Sequence, residues 1–360
     1  MKKFALLNLV VVLALLVAGV AYAAEDILAA AKAYFSGGTK NITAQALYEN
    51  LNDGDPSNDP FILSVRTAED YAKGHIKGAV RMDVNAVFNP ENLAQLPKDK
   101  PIVVYCYTGQ NASWVTAGLR MLGYDAYNLL FGMSGWSNNP EVYVRRFDPS
   151  TVPDYPVTTE AVQATGNYPL PKPRGDTVQA ALQAALKDGP KYVQVKTLYE
   201  NLNDGDTSND PFIIDVRAAE HYAKGHIAGA VNMNPKEMWD AATLAKIPSD
   251  RQVVVYCYTG QTAAQVAMAL RALGYDAYSL QFGMQAWSAN PEIAVNRFDP
   301  SKVPGYPTEG TASGAAAEAQ ATPATLPTTG GAVFPVEGLV LGLGALSLGA
   351  GLALRRRKSA

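Results

Sequence analysis

The chain has 360 residues, 30 Lys and Arg against 33 Asp and Glu, a formal net charge of −3 and only two cysteines. With 48% hydrophobic and 18% charged residues it is long and apolar enough for more than one packed domain. The weakly acidic balance offers no basic face for nucleic acid, and two cysteines cannot form a disulfide framework.

In chain order, Lys2 and Lys3 precede an apolar run over 4–20, and Ala21-Tyr22-Ala23 supplies a small-x-small cleavage pattern. This is the layout of a secretory signal peptide, residues 1–23, cut after Ala23. A first domain is expected over 26–156. Within it, 61–65 is a short apolar strand, 68–73 a brief helix and 79–82 another short strand. The β-branched run 101–105 suits a central parallel strand. Residues 112–122 show helical spacing of Trp114, Val115, Leu119 and Leu122, with Gly123 as the stop. A strand over 124–130 and a helix around Trp136 complete the unit.

The second half repeats the first at a fixed offset of 151 residues. It relates Cys106 to Cys257, Gly74-His75-Ile76 to Gly225-His226-Ile227, Trp136 to Trp287, and Arg146-Phe147-Asp148-Pro149 to Arg297-Phe298-Asp299-Pro300. Units of roughly 130 residues are domain-sized, not solenoid repeats. The second domain is placed at 176–307. Between them, 157–175 carries Pro169, Pro171 and Pro173 and reads as a semi-rigid linker. Residues 308–325 lack apolar bulk and read as a flexible stalk. Alternating strands and helices predict an α/β fold: two tandem doubly wound domains, each a mainly parallel sheet flanked by helices.

Both cysteines lie in one string, Val-Val-Tyr-Cys-Tyr-Thr-Gly-Gln, at 103–110 and 254–261. Each thiol ends a buried strand and precedes a helix, where amides and the helix dipole favour an anion and hence thiolate. Ligands of such sheets bind beyond the carboxyl ends of the strands. A disulfide between the two is disfavoured because two strand-end pockets in separate domains would have to face each other. The oxygen-rich segments 52–59 and 203–210 lack the sixth-position glycine and twelfth-position glutamate of a calcium loop and read as turns, with a calcium site as the lesser alternative. No metal spacing appears among His75, His221 and His226, and no cofactor is implied.

The runs Ile214-Asp215-Val216-Arg217, Gly225 through Ala230, Val255 through Gly260 and Gly283 through Trp287 together resemble a rhodanese domain. The first domain matches through Arg66, Gly74 through Ala79, Cys106 and Gly132 through Trp136. The resemblance implies sulfur transfer through a cysteine persulfide, with Cys257 and Cys106 as nucleophiles and the stronger expectation on Cys257. It implies substrate-binding loops made by Tyr107, Thr108, Gly109, Gln110 and Asn111, and by Tyr258, Thr259, Gly260, Gln261 and Thr262. The threonines, glutamines and Asn111 are expected to donate to an oxyanion or to cap the following helix. Arg66 and Arg217 are expected either to attract anions or to form structural ion pairs. The acid of the Asp-x-Arg pair is replaced by Ser64 in the first domain, and neither loop contains a cation, which opens the donor to polysulfides and persulfides as well as thiosulfate. Expected partners are a small sulfur donor and a thiol or cyanide-like acceptor. Ala112 and Ala263 stand where the related phosphatases carry arginine, so phosphoryl transfer is not expected. The alternatives are a non-catalytic binding module and a thiol-based sulfur carrier or sensor.

The carboxyl end combines Leu326-Pro327-Thr328-Thr329-Gly330, an apolar segment over 338–354 and Arg355-Arg356-Arg357-Lys358. It resembles the sorting signal of sortase-anchored surface proteins, which implies cleavage between Thr329 and Gly330 and attachment to the cell envelope. The other reading is a tail anchor in the membrane. Both make the domains exported.

Overall fold

The computed structural model describes residues 23–312. The expected leader other than Ala23, the expected sorting motif 326–330 and the apolar segment 338–354 lie outside them. Among the described residues no helix is long and apolar enough to cross a membrane.

The runs Ile-Val-Val-Tyr and Val-Val-Val-Tyr are buried at every position and become the central strands of two parallel sheets. In the first domain α1 (23–36) leads to β1 (Asn41–Ile42), α2 (Ala44–Asn50), β2 (Phe61–Ser64), α3 (Ala68–Lys73) and β3 (Val80–Arg81). Then come α4 (Pro90–Leu93), β4 (Ile102–Tyr105), α5 (Gln110–Met121), β5 (Ala126–Leu129), α6 (Gly132–Trp136) and α7 (Pro140–Tyr143). The second domain repeats this with α8 (Val178–Leu186), β6 (Tyr192–Val193), α9 (Val195–Asn201), β7 (Phe212–Asp215), α10 (Ala219–Lys224) and β8 (Val231–Asn232). It ends with α11 (Ala241–Leu244), β9 (Val253–Tyr256), α12 (Gln261–Ala272), β10 (Ala277–Leu280) and α13 (Met284–Trp287). The strand orders are β1-β5-β4-β2-β3 and β6-β10-β9-β7-β8, all parallel. The cysteines therefore leave the carboxyl end of a middle strand.

Helix α5 is buried at all positions except Asn111 and Arg120, and α12 at all except Thr262. A helix buried on every side needs cover beyond its own sheet. Each domain provides it for the other, because α5 and α12 pack together. Phe35 of α1 stacks on Trp239 of the second domain, with centroids 4.6 Å apart. The segments that follow each domain are exchanged. Trp287 Nε1 donates to the Pro156 carbonyl and Trp136 Nε1 to the Pro307 carbonyl, at 3.0 and 2.9 Å. Tyr155 stacks on Tyr199, and Tyr306 on Tyr48, each at 4.0 Å. The linker follows the second domain closely: Thr158 bridges His226, Val162 bridges Val231, and Pro173 is buried.

Candidate active site

The Cys106 loop is shaped by two glycines. Gly109 has φ +80° and caps α5, so the helix starts at Gln110, before the expected Ala112. A Cβ there would lie 2.1 Å from Gln261 Oε1 and 2.9 Å from the Phe131 amide nitrogen. Gly132, at φ +51°, lets α6 seat against the loop, and a Cβ on it would lie 2.4 Å from the Cys106 carbonyl oxygen. That carbonyl accepts from the Met133 amide at 2.9 Å. Gly260 and Gly283 do the same work around Cys257, whose carbonyl accepts from Met284 at 2.9 Å. Phe131 and Phe282, just before these second glycines, both have φ +61°, a conformation that costs a bulky residue about 1–3 kcal/mol.

Backbone amides of the following turn act on each thiol: those of Thr108, Gly109, Asn111 and Ala112 on Cys106, and those of Thr259, Gly260, Thr262 and Ala263 on Cys257. Ala263 donates to Cys257 Sγ at 3.4 Å. The amides favour an anion, as the sequence suggests, but they do not prevail. Cys106 is 1% exposed and Cys257 2%, and this burial pushes both thiols above the ordinary value against the pull of the amides. The expectation of a net thiolate bias is corrected on that ground. Both cysteines are free.

The two loops face each other across the domain interface, although they belong to separate domains. Gln261 Oε1 accepts from the Phe131 amide at 3.1 Å and from Asn128 Nδ2 at 3.0 Å. Reciprocally, Gln110 Oε1 accepts from the Phe282 amide at 3.0 Å. The amide groups of these glutamines donate to Thr108 Oγ1 and Thr259 Oγ1 of their own loops, at 3.2 and 3.1 Å. Asn111 Oδ1 accepts from Tyr192 of the second domain at 2.8 Å. Gln110, Gln261 and Asn111 are thus committed to the domain interface rather than aimed at an oxyanion. Between the loops lies a narrow cleft walled by Phe131, Phe147, Phe282 and Phe298, with Thr108 and Thr259 at its loop side.

The arginines of the Asp-x-Arg positions are structural. Arg217 grips Asp215 through Nε and Nη2, the latter 2.7 Å from Oδ2, and donates to the carbonyls of Ile293 and Gly225. Both charges are fully buried. Arg66 donates to the carbonyls of Gly74 and Val142, and its Nε has no partner, since Ser64 replaces the acid. The loop tyrosines differ in company. Tyr107 donates to Asp70 Oδ2 at 2.5 Å, whereas Tyr258 Oη lies 2.7 Å from His221 Nδ1. The exposed Arg145, absent from the sequence reasoning, places its guanidinium 5.0 Å from the centre of the Tyr107 ring. Asn296 occupies the equivalent position in the second domain. The signal for Arg145 was its place before the repeated Arg-Phe-Asp-Pro string, visible only once the exchanged segment is seen to return past the loop.

Segments 52–59 and 203–210 are hydrogen-bonded turns, with Asp53 and Asp204 accepting from the Asp55 and Asp206 amides. Among the described residues no acidic, histidine or cysteine cluster is arranged to hold a metal.

A parallel α/β domain with a thiol beside backbone amides beyond its middle strand, present twice, defines the class. The rhodanese-like domain profile matches residues 43–139 and 194–290, more than half of the chain, and the chain belongs to that family. Among curated relatives, it is 35% identical over 83 residues to the tRNA sulfurtransferase of Desulfurococcus amylolyticus, covering 23% of this chain but only 16% of that protein. It is 37% identical over 76 residues to the thiosulfate sulfurtransferase of Shewanella oneidensis, 21% of this chain and 73% of the relative. Among solved structures, a rhodanese-like domain protein from Staphylococcus aureus matches at 30% identity over 26% of this chain and 88% of that chain, with TM-score 0.24. A thiosulfate sulfurtransferase from Pseudomonas aeruginosa matches at 18% identity over 74% of this chain and 49% of that chain, with TM-score 0.26.

Proposed function

We propose that the protein is a sulfurtransferase that carries sulfane sulfur on Cys106 and Cys257. The observation that carries this reading is a thiol held between the end of the middle strand and the start of a helix, built the same way in both domains, with Ala263 donating to Cys257 Sγ. A thiolate attacks the outer sulfur of a donor. The donor's sulfur–sulfur bond breaks, its electron pair leaves with the inner group (sulfite, if the donor is thiosulfate), and a cysteine persulfide forms. A nucleophilic acceptor then takes the terminal sulfur and the thiolate returns. The amides stabilise the anion in both states without a side-chain cation. Loops without a cation of their own suit a weakly charged donor such as an organic persulfide or polysulfide, and Arg145 favours an anionic donor at Cys106.

A second reading, a non-catalytic binding module, is favoured by the burial of both thiols. Sulfur release to cyanide by the wild type, Cys106→Ser, Cys257→Ser and the double variant separates them. The transferase loses turnover in the double variant, and the module has none to lose.

The same proposal places the protein outside the cytoplasm, with residues 1–23 removed and Thr329 joined to the envelope by a sortase. Support comes from the order of motif, apolar segment and basic tail. Mass analysis of the termini of envelope-bound protein tests it: a start at Ala24 and an end at Thr329 are expected, and an intact tail through Ala360 overturns the sortase step.

A further inference from the structure

The two domains carry the same groove, and among the described residues only that of the second is covered. In the second domain it runs between α11 and the end of α12, and the linker crosses it. The Tyr168 amide donates to the Ala245 carbonyl at 2.6 Å and the Arg174 amide to the Ala272 carbonyl at 3.1 Å. Arg174 Nε reaches the Arg271 carbonyl at 2.8 Å. The linker passes so close that a Cβ on Gly274 would lie 2.1 Å from the Lys172 carbonyl oxygen and 3.2 Å from Pro171 Cβ.

The equivalent groove of the first domain measures ≈ 450 Å³ and is lined by Leu93, Ala94, Leu96, Leu122 and Tyr124, with the polar Lys98 and Gln179 of α8 at its edges. The floor is built the same way: Tyr124 Oη donates to the Leu93 carbonyl at 3.2 Å, as Tyr275 Oη does to Leu244 at 2.9 Å. No segment among the described residues crosses it. A Cβ on Gly123 would meet nothing within 4 Å. Ala94 and Gly123 are exposed and Leu122 is half-buried, while Leu273 is buried. Tyr124 is 7% exposed against 1% for Tyr275.

We propose that the groove of the first domain binds an extended, proline-bearing peptide segment of a partner protein, of the kind that residues 168–174, Tyr-Pro-Leu-Pro-Lys-Pro-Arg, supply to the second. Proline suits such a site because it fixes the extended conformation before binding and brings no amide donor that the apolar floor would leave unpaired. The paired carbonyls above predict the polar anchors, those of Ala94 and Met121. Lys98, whose ammonium lies 5.7 Å from the centre of the Tyr124 ring, stands at the rim where Ser249 stands in the second domain. In the sequence repeat 17–23 corresponds to 168–174, and that stretch contains no proline.

The probe is a fluorescent peptide with the sequence of residues 164–175, titrated onto the full-length protein in mild detergent and onto protein lacking the leader. Saturable binding to both is expected. It should weaken about tenfold or more when the three prolines become alanine, and equally with Ala94→Trp, which fills the groove from an exposed position, or Leu122→Asp. Both variants are first checked for an unchanged far-ultraviolet spectrum and melting transition. Absence of saturable binding overturns the proposal, as does binding that Ala94→Trp and Leu122→Asp leave intact. Binding only after removal of the leader also overturns it, by making the chain's own first residues the occupant.

Discussion

Burial decides the resting protonation of both thiols, and the backbone amides act against it. An acid whose folded pKa is raised holds its proton longer. The associated stability is therefore present below the unfolded thiol value and is lost as pH rises through the folded one. Alkylation of Cys106 and Cys257 in the folded protein should still be accelerating above the ordinary thiol value; a plateau well below it would contradict the assignment. Arg145 gives the loops different electrostatics. Arg145→Ala should slow thiosulfate loading of Cys106 by a few fold, as expected for one partly solvated cation, while loading of Cys257 and loading by a neutral trisulfide stay unchanged. Equal slowing at both cysteines would remove the role given to Arg145. The buried pair is a further contrast. Asp215→Ala leaves Arg217 buried without its acid and should cost about 3–5 kcal/mol in denaturant unfolding. Ser64→Ala, next to an arginine that already lacks one, should cost far less. The Ser64 difference was legible in the sequence. Arg145 was not, because it acts on Tyr107 from 38 residues away through a returning segment.

At the level of elements, α3, β2, β4, α5 and α6 lie where apolar runs, glycines and tryptophan spacing put them. Local chemistry trimmed their ends: Gly109 starts α5 early, and Tyr124 turns its hydroxyl to Leu93 before β5 begins. Helices α1 and α8 and the two-residue strands β1 and β6 were not foreseen. Short edge strands carry too little periodicity, and α1 and α8 cover surfaces between domains that no local pattern reveals. Gln110 and Gln261 are the clearest case. Their spacing from cysteine marks loop residues, yet each glutamine holds the backbone of the other domain at Phe282 or Phe131. Gln261→Ala should therefore disturb the Cys106 loop and Gln110→Ala the Cys257 loop. Loading of Cys106 in a Cys257→Ser background is predicted to fall on adding Gln261→Ala, with partial recovery in Gln261→Glu, which keeps the acceptor oxygen. No change in Cys106 loading would show that the bridge is passive.

For the whole molecule, duplication was plain from the offset, but the tandem is not two beads on a linker. Each unit is finished by chain that follows the other, so Tyr306, near the end of the described residues, stabilises the first domain. Tyr306→Ala removes the stack on Tyr48 and the contact with Trp136, and should lower stability by about 2–4 kcal/mol. Tyr155→Ala should do the same for the second domain. If either change is silent in thermal unfolding, the exchanged segments are not structural. The cysteine loops meet although they belong to separate repeats, because α5 and α12 pack together and the following segments are exchanged.

The central claim is that both buried thiols carry sulfur. The most direct measurement is intact and peptide mass of the reduced protein after thiosulfate, and separately after a polysulfide. A single added sulfur on Cys106 and on Cys257, discharged by cyanide or thiol, is the predicted result. Reduced cysteines that take up no sulfur from any donor would contradict the account.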